Sequence, residues 1–216
     1  MARKQNRRKA SPAAAILTVL VLAALFVWRM LGSPEDGKTQ ITLPNGELHV
    51  WFLDVGQADS SLLVCDGQAM LIDGGNVDDA SYVVSSLGQY GVTSLDYVIN
   101  THCDEDHVGG LAGVLAKFPA GHVWSSTAEY GTKAFSNFVK YANEQGRDIE
   151  IPSPGDTFTL GEAEITVLGP LRDYENNNEN SIVLRVDYGE TSFLFTGDMG
   201  LTPEDELVAR SEERRV

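Results

Sequence analysis

Thirteen residues, Val98–Gly110 (VINTHCDEDHVGG), restrict this chain more than any other stretch. The apolar β-type run Leu95–Asn100 gives way to a loop carrying His102, Asp104, Asp106 and His107, and a glycine pair with an amphipathic segment follows. A strand must therefore end, and a helix begin, around a dense set of oxygen and nitrogen donors. Left alone, close carboxylates repel and suppress one another's ionisation. A divalent cation removes that conflict. Alternate residues of an extended loop point the same way, so His102 and Asp104 are expected to serve one ion, and Asp106 with His107 a second. Gly109 and Gly110 would let the helix approach the loop backbone closely.

A second strand supplies the missing partner. Thr191–Gly197 (TSFLFTG) is apolar and ends in Gly-Asp, so Asp198 projects from its carboxyl end. As a bridging carboxylate it gives each ion three protein ligands and leaves room for water, the arrangement of an open catalytic site. Two such ions would activate a water and clamp an oxyanion.

The remaining chain reads as mixed α/β. Short apolar runs at His49–Val55, Ser61–Cys65 and Ala69–Asp73 predict strands, with Asp66-Gly67 turning a hairpin. Helices are expected over Ala80–Tyr90, about Val108–Phe118 and Gly131–Gln145. A short strand is expected at His122–Ser125, and further strands at Thr157–Leu160, Glu164–Leu168, Ser181–Tyr188 and Thr191–Phe195. A last helix is predicted to start at Thr202-Pro203, with Thr202 as its N-cap. Cys65 and Cys103 are expected to stay unbridged, with Cys103 outside the ligand set because O and N donors suffice. His49 and His122, in strand-like runs far upstream of Asp198, read as ordinary edge or surface histidines.

Charge is unevenly distributed. Arg3, Lys4, Arg7, Arg8, Lys9 and Arg29 lie within the first 31 residues, which hold no acid. That leaves ten basic against 31 acidic residues from Gly32 onward, a formal charge of −21. Such a surface disfavours long nucleic acid unless bound dications or Lys117, Lys133 and Lys140 offset it near the site. The basic cluster precedes an apolar run, Ala13–Trp28, broken only by Thr18. Nineteen helical residues would span roughly 28 Å, close to the roughly 30 Å of a bilayer's hydrocarbon. The positive-inside rule then predicts a cytoplasmic N-terminus over 1–11, a single transmembrane anchor over 12–31, a linker over 32–46 and an extracytoplasmic domain over 47–216. A cleaved signal peptide is the alternative, against which no good small-x-small site follows the apolar run.

The motifs THCDEDHVGG, FLDVGQADS (Phe52–Ser60), LIDGG (Leu71–Gly75), NNNENSIVL (Asn176–Leu184) and FLFTGD (Phe193–Asp198) resemble the metallo-β-lactamase superfamily, and within it the hydrolase domain of ComEC-type competence proteins. The resemblance implies an αββα four-layer sandwich with its metal ions at the edge between two sheets. It puts His102, Asp104, Asp106, His107 and Asp198 on the metal ligands and makes Asp73 a buried support. Asp54, Gln57 and Asp59 would line the mouth. Asp104 stands where most of the superfamily has histidine, which hardens the site and favours Mn²⁺ more than a His-rich centre would, with Zn²⁺ the other candidate.

The family continues past the Gly-Asp strand with a His-His-Gly-Ser motif, whereas this sequence ends eighteen residues after Asp198. The expectation is a shortened domain with an incomplete second half. Two functional readings follow. One is a membrane-anchored hydrolase of phosphodiester or related ester bonds in a small molecule or nucleic acid, with Asp106 or Asp198 orienting the attacking water and no obligate protein partner. The other is a non-catalytic remnant that binds metal weakly or not at all.

Overall fold

The Asp66-Gly67 signal is realised as a tight hairpin. Both residues take positive φ (50° and 80°), as a two-residue turn that matches strand twist requires. It joins β2 (Ser61–Cys65) to β3 (Gln68–Ile72), and β1 (Leu48–Phe52) lies antiparallel on the other side of β2. A computed structural model describes residues 43–213. The anchor expected over 12–31, the segment 1–11 and most of the linker lie outside the described residues. Among the described residues no helix is long and apolar enough to cross a membrane.

After β3 the pairing becomes parallel. β4 (Leu95–Asn100), β5 (Ala120–Ser125) and β6 (Ile149–Glu150) extend one six-stranded sheet in the order β1-β2-β3-β4-β5-β6. The crossovers are helical: α1 (Ala80–Gln89), the short α2 (Glu105–Val108) and α3 (Leu111–Leu115), and α4 (Lys133–Glu144). A second, antiparallel sheet of β7 (Thr157–Leu160), β8 (Ala163–Gly169), β9 (Val183–Tyr188) and β10 (Thr191–Phe195) has the order β10-β9-β8-β7.

Side-chain alternation separates two cores. Leu62, Val64, Leu71, Val98 and Val123 face the helices and pack with Val83, Leu111, Phe135 and Phe138. Leu63, Met70, Ile72, Ile99 and Trp124 face the second sheet and meet Ile165, Val167, Leu184, Val186 and Phe195. β2 is buried along its whole length because it has apolar neighbours on both sides. The last helix, α5 (Leu201–Glu213), lies along β8, where Leu207 approaches Gly169. Helices, two facing sheets and one outer helix thus form the layers.

Several boundaries differ from expectation. The single helix expected over about Val108–Phe118 is two short ones with the Gly109-Gly110 step between them, because that step passes against the Gly74-Gly75 backbone: Gly110 N donates to the Gly75 carbonyl at 3.0 Å. β1 stops at Phe52 because Leu53–Ser60 turns as a loop, and β9 starts at Val183 because Asn178–Asn180 forms a 3-10 turn. Thr202 falls inside α5 instead of capping it. Cys65 and Cys103 are free and buried. His49 packs half-buried against Trp51, and exposed His122 pairs with Glu150 at 2.9 Å.

Candidate metal centre

The carboxyl ends of β3 and β4 lie side by side because the strands pair in parallel, so Asp73 and Thr101 meet. Asp73 adopts φ 57°, a left-handed conformation that Asp accepts more readily than most side chains. Its carboxylate receives Thr101 N at 2.8 Å, the Thr101 hydroxyl at 2.7 Å and His107 Nδ1 at 2.9 Å. The backbone is knitted to match: Gly74 N donates to the His107 carbonyl at 2.7 Å, and a Cβ on Gly74 would stand 2.7 Å from Leu111 N. Only glycine lets the loop and α3 approach this closely.

His102 and His107 are buried, with ring centroids 4.0 Å apart. Asp198 reaches them from the end of β10, its Oδ1 3.4 Å from His107 Nε2. Asp104 Oδ2 lies 3.6 Å from His102 Nε2. Across the sheet boundary Ile182 N donates to the Thr101 carbonyl at 2.9 Å, which ties the second sheet to the His102 loop. Gly197 has φ 49° and a Cβ there would stand 2.8 Å from Thr101 Oγ1, so the turn that presents Asp198 needs glycine. Among the described residues, one donor atom each from His102, His107 and Asp198 lie within 4.8 Å of one another.

Electrostatics separate the two imidazoles. Burial lowers the pKa of His107, but the hydrogen bond and charge of Asp73, with Asp198 and Asp106 nearby, outweigh it and hold the ring up at about 9. His102 is pushed below its ordinary value by burial and by the His107 charge. Its Nε2 is buried and has no hydrogen-bond partner. A buried polar atom without a partner is costly, and this one lies 3.6 Å from the Asp104 carboxylate. The donor set therefore fits a divalent cation, which would replace the missing partner and neutralise the acids. Burial of the Cys103 thiol raises its pKa to about 11, which leaves it a poor ligand.

The other sequence-derived candidates stand further out. Asp106 is half-exposed on α2, its carbonyl accepting Asp59 N at 3.1 Å. Asp59 is exposed on the Leu53–Ser60 loop, and burial, then the Asp73, Asp198 and Asp106 charges, raise its carboxyl pKa against the opposing pull of His107. Asp54 and Gln57 are exposed on the same loop. A groove of about 170 Å³, lined by Phe52, Asp59, Asp73, Thr101, Leu194 and Gly197, opens beside the cluster. A cavity of about 310 Å³ lined by Leu43, His49, Asp66 and Tyr90 lies at the opposite end of the strands, so volume alone does not mark this centre.

Four contributors had no assigned role in the sequence reading: Thr101, Asn177, Asn178 and Ser181. The last three sit in the NNNENSIVL motif, whose polar run was the available signal.

A sequence model of the Metallo-beta-lactamase superfamily matches residues 53–214. The chain belongs to that superfamily. Among curated relatives, competence protein ComA of Neisseria gonorrhoeae is 30% identical over 193 residues, covering 89% of this chain and 24% of ComA. ComE operon protein 3 of Bacillus subtilis is 27% identical over 183 residues, covering 76% of this chain and 24% of that protein. The chain thus spans about a quarter of the length of these relatives. Of solved structures, a metallo-beta-lactamase with a HARLDQ motif from Cronobacter sakazakii is similar at a TM-score of 0.50 and 17% identity, covering 68% of this chain and 58% of that one. That similarity supports the fold. His102, Asp104, Asp106, His107 and Asp198 all lie inside the matched superfamily region.

Proposed function

We propose that this domain is a metal-dependent hydrolase of phosphodiester or related ester bonds, held at the outer face of a cell membrane by the helix expected over residues 12–31. The unpartnered, fully buried Nε2 of His102, converging with His107 and Asp198, is the observation that carries the reading. His102, His107 and Asp198 would hold the ion or ions, with Asp104 and Asp106 as further ligands. Bound there, Zn²⁺ or Mn²⁺ would supply Lewis acidity and an activated water. The chain's own part is to exclude solvent behind the two imidazoles and to orient the attacking water through Asp106 or Asp198. The groove beside Phe52 and Leu194 gives a substrate access from the loop side. Similarity to competence proteins favours a role in competence.

A non-catalytic reading is favoured by one observation: His49 and His122 are engaged elsewhere, so among the described residues two imidazoles reach the centre. Hydrolysis of bis(p-nitrophenyl) phosphate by the full chain with Mn²⁺ or Zn²⁺ separates the two. Turnover that His102→Ala abolishes supports the hydrolase. Absence of turnover in wild type, or turnover indifferent to His102→Ala, supports the silent domain.

A further inference from the structure

The segment Asn177–Ser181 touches three of the four side chains that face one another at the centre. Asn177 Nδ2 donates to Asp104 Oδ1 at 2.8 Å, while Asp104 Oδ2 is the oxygen that faces His102 Nε2. Asn178 Nδ2 donates to Asp198 Oδ2 at 3.2 Å, while Asp198 Oδ1 is the oxygen that faces His107 Nε2. Ser181 Oγ lies 3.4 Å from His102 Nδ1 and also accepts Asp198 N at 3.2 Å.

The hydroxyl protons decide what Ser181 does. Ser181 Oγ donates its proton to the Asn178 carbonyl at 2.7 Å. The other hydroxyl beside His102 Nδ1, Thr101 Oγ1 at 3.2 Å, gives its proton to Asp73. Each hydroxyl has one proton, so both can only accept from the ring. His102 must then carry its hydrogen on Nδ1 and present a bare lone pair at Nε2.

We propose that the Asn177–Ser181 segment is a positioning device. It holds each of these ligands by the atom that does not coordinate, so that His102 Nε2, Asp104 Oδ2 and Asp198 Oδ1 are left free and aimed inward. The two asparagines make both carboxylates single-oxygen donors, and Ser181 with Thr101 selects the His102 tautomer. Asp73 does the same for His107 from the other sheet. Partners of this outer kind commonly contribute about 10–100-fold to metal affinity. The inference rests on the metal-binding reading above and needs no turnover.

The test uses the full chain with Ser181→Ala, Asn177→Leu and Asn178→Leu, and reads three quantities. Mn²⁺ and Zn²⁺ dissociation constants come from competition with a chromogenic chelator. Melting of the metal-free protein reports folding. The tautomer of His102 comes from ¹⁵N–¹H NMR of metal-free protein. The expected result is about 10–100-fold weaker binding in each variant, cooperative metal-free melting that shows each variant folded, a single Nδ1–H tautomer in wild type and a mixture in Ser181→Ala. Wild-type affinity in all three variants, or an Nε2–H tautomer in wild type, overturns the proposal. Should a variant fail to fold, or should wild type bind neither ion, the wild-type tautomer decides alone. A chain that binds metal with the expected tautomer yet hydrolyses nothing sinks the hydrolase and leaves this inference standing.

Discussion

Replacing Asp73 by Asn tests the electrostatics of the centre at its base. Asn tolerates the left-handed φ of 57° as well as Asp does, so the backbone is not strained. The amide keeps one acceptor for Thr101, but its NH₂ meets the Thr101 hydroxyl and His107 Nδ1, both donors in the native protein. His107 loses the charge and hydrogen bond that do most to raise its pKa from the ordinary 6.5 to about 9 and keeps the burial that lowers it, now opposed by Asp198 and Asp106 alone, so it should titrate well below its wild-type value. At about 1.4 kcal/mol per pH unit, that interval is worth about 3 kcal/mol. The side chain is only 3% exposed, so solvent screening removes little of it.

A folded-state pKa above the unfolded one stabilises fully below the unfolded value, and the stabilisation is lost as pH rises through the folded value. Metal-free wild type should therefore weaken by about 3 kcal/mol between pH 6.5 and about 9. Asp73→Asn should be weaker at the acid end and change less across the same window. NMR titration of His107 in chelator-treated protein, with urea denaturation at both ends of the window, measures both. If His107 in the variant still titrates where it does in wild type, or if the wild-type stability does not change across the window, the role given to Asp73 is wrong.

Two further expectations follow from the same geometry. Gly197→Ala forces a Cβ to within 2.8 Å of Thr101 Oγ1 at φ 49°, so it should cost about 1–3 kcal/mol in urea denaturation and weaken metal binding by displacing Asp198. Chelating the ion should lower the melting temperature reversibly: a ligand at a hundred times its Kd stabilises by about 2.7 kcal/mol, and His102→Ala should remove that increment.

Much of this was written locally. The hairpin at Asp66-Gly67, the strand-loop-helix step around His102 and the free cysteines follow from turn chemistry, periodicity and composition over a few residues each. Boundaries were missed where a distant element intervened. The Gly109-Gly110 step is set by contact with Gly74-Gly75, more than thirty residues earlier, and just before β9 Ile182 N is drawn to the Thr101 carbonyl, about eighty residues earlier.

Which donors the chain owns, and that they crowd one loop and one strand end, was decided by sequence alone. Which of their atoms face one another and which are held from behind was decided by tertiary structure. The Asp73 grip on His107 spans 34 residues, and the Asn177 grip on Asp104 spans 73. A hydrogen bond of that reach has no local signature, because its partners are brought together by strand order and sheet packing and not by spacing along the chain.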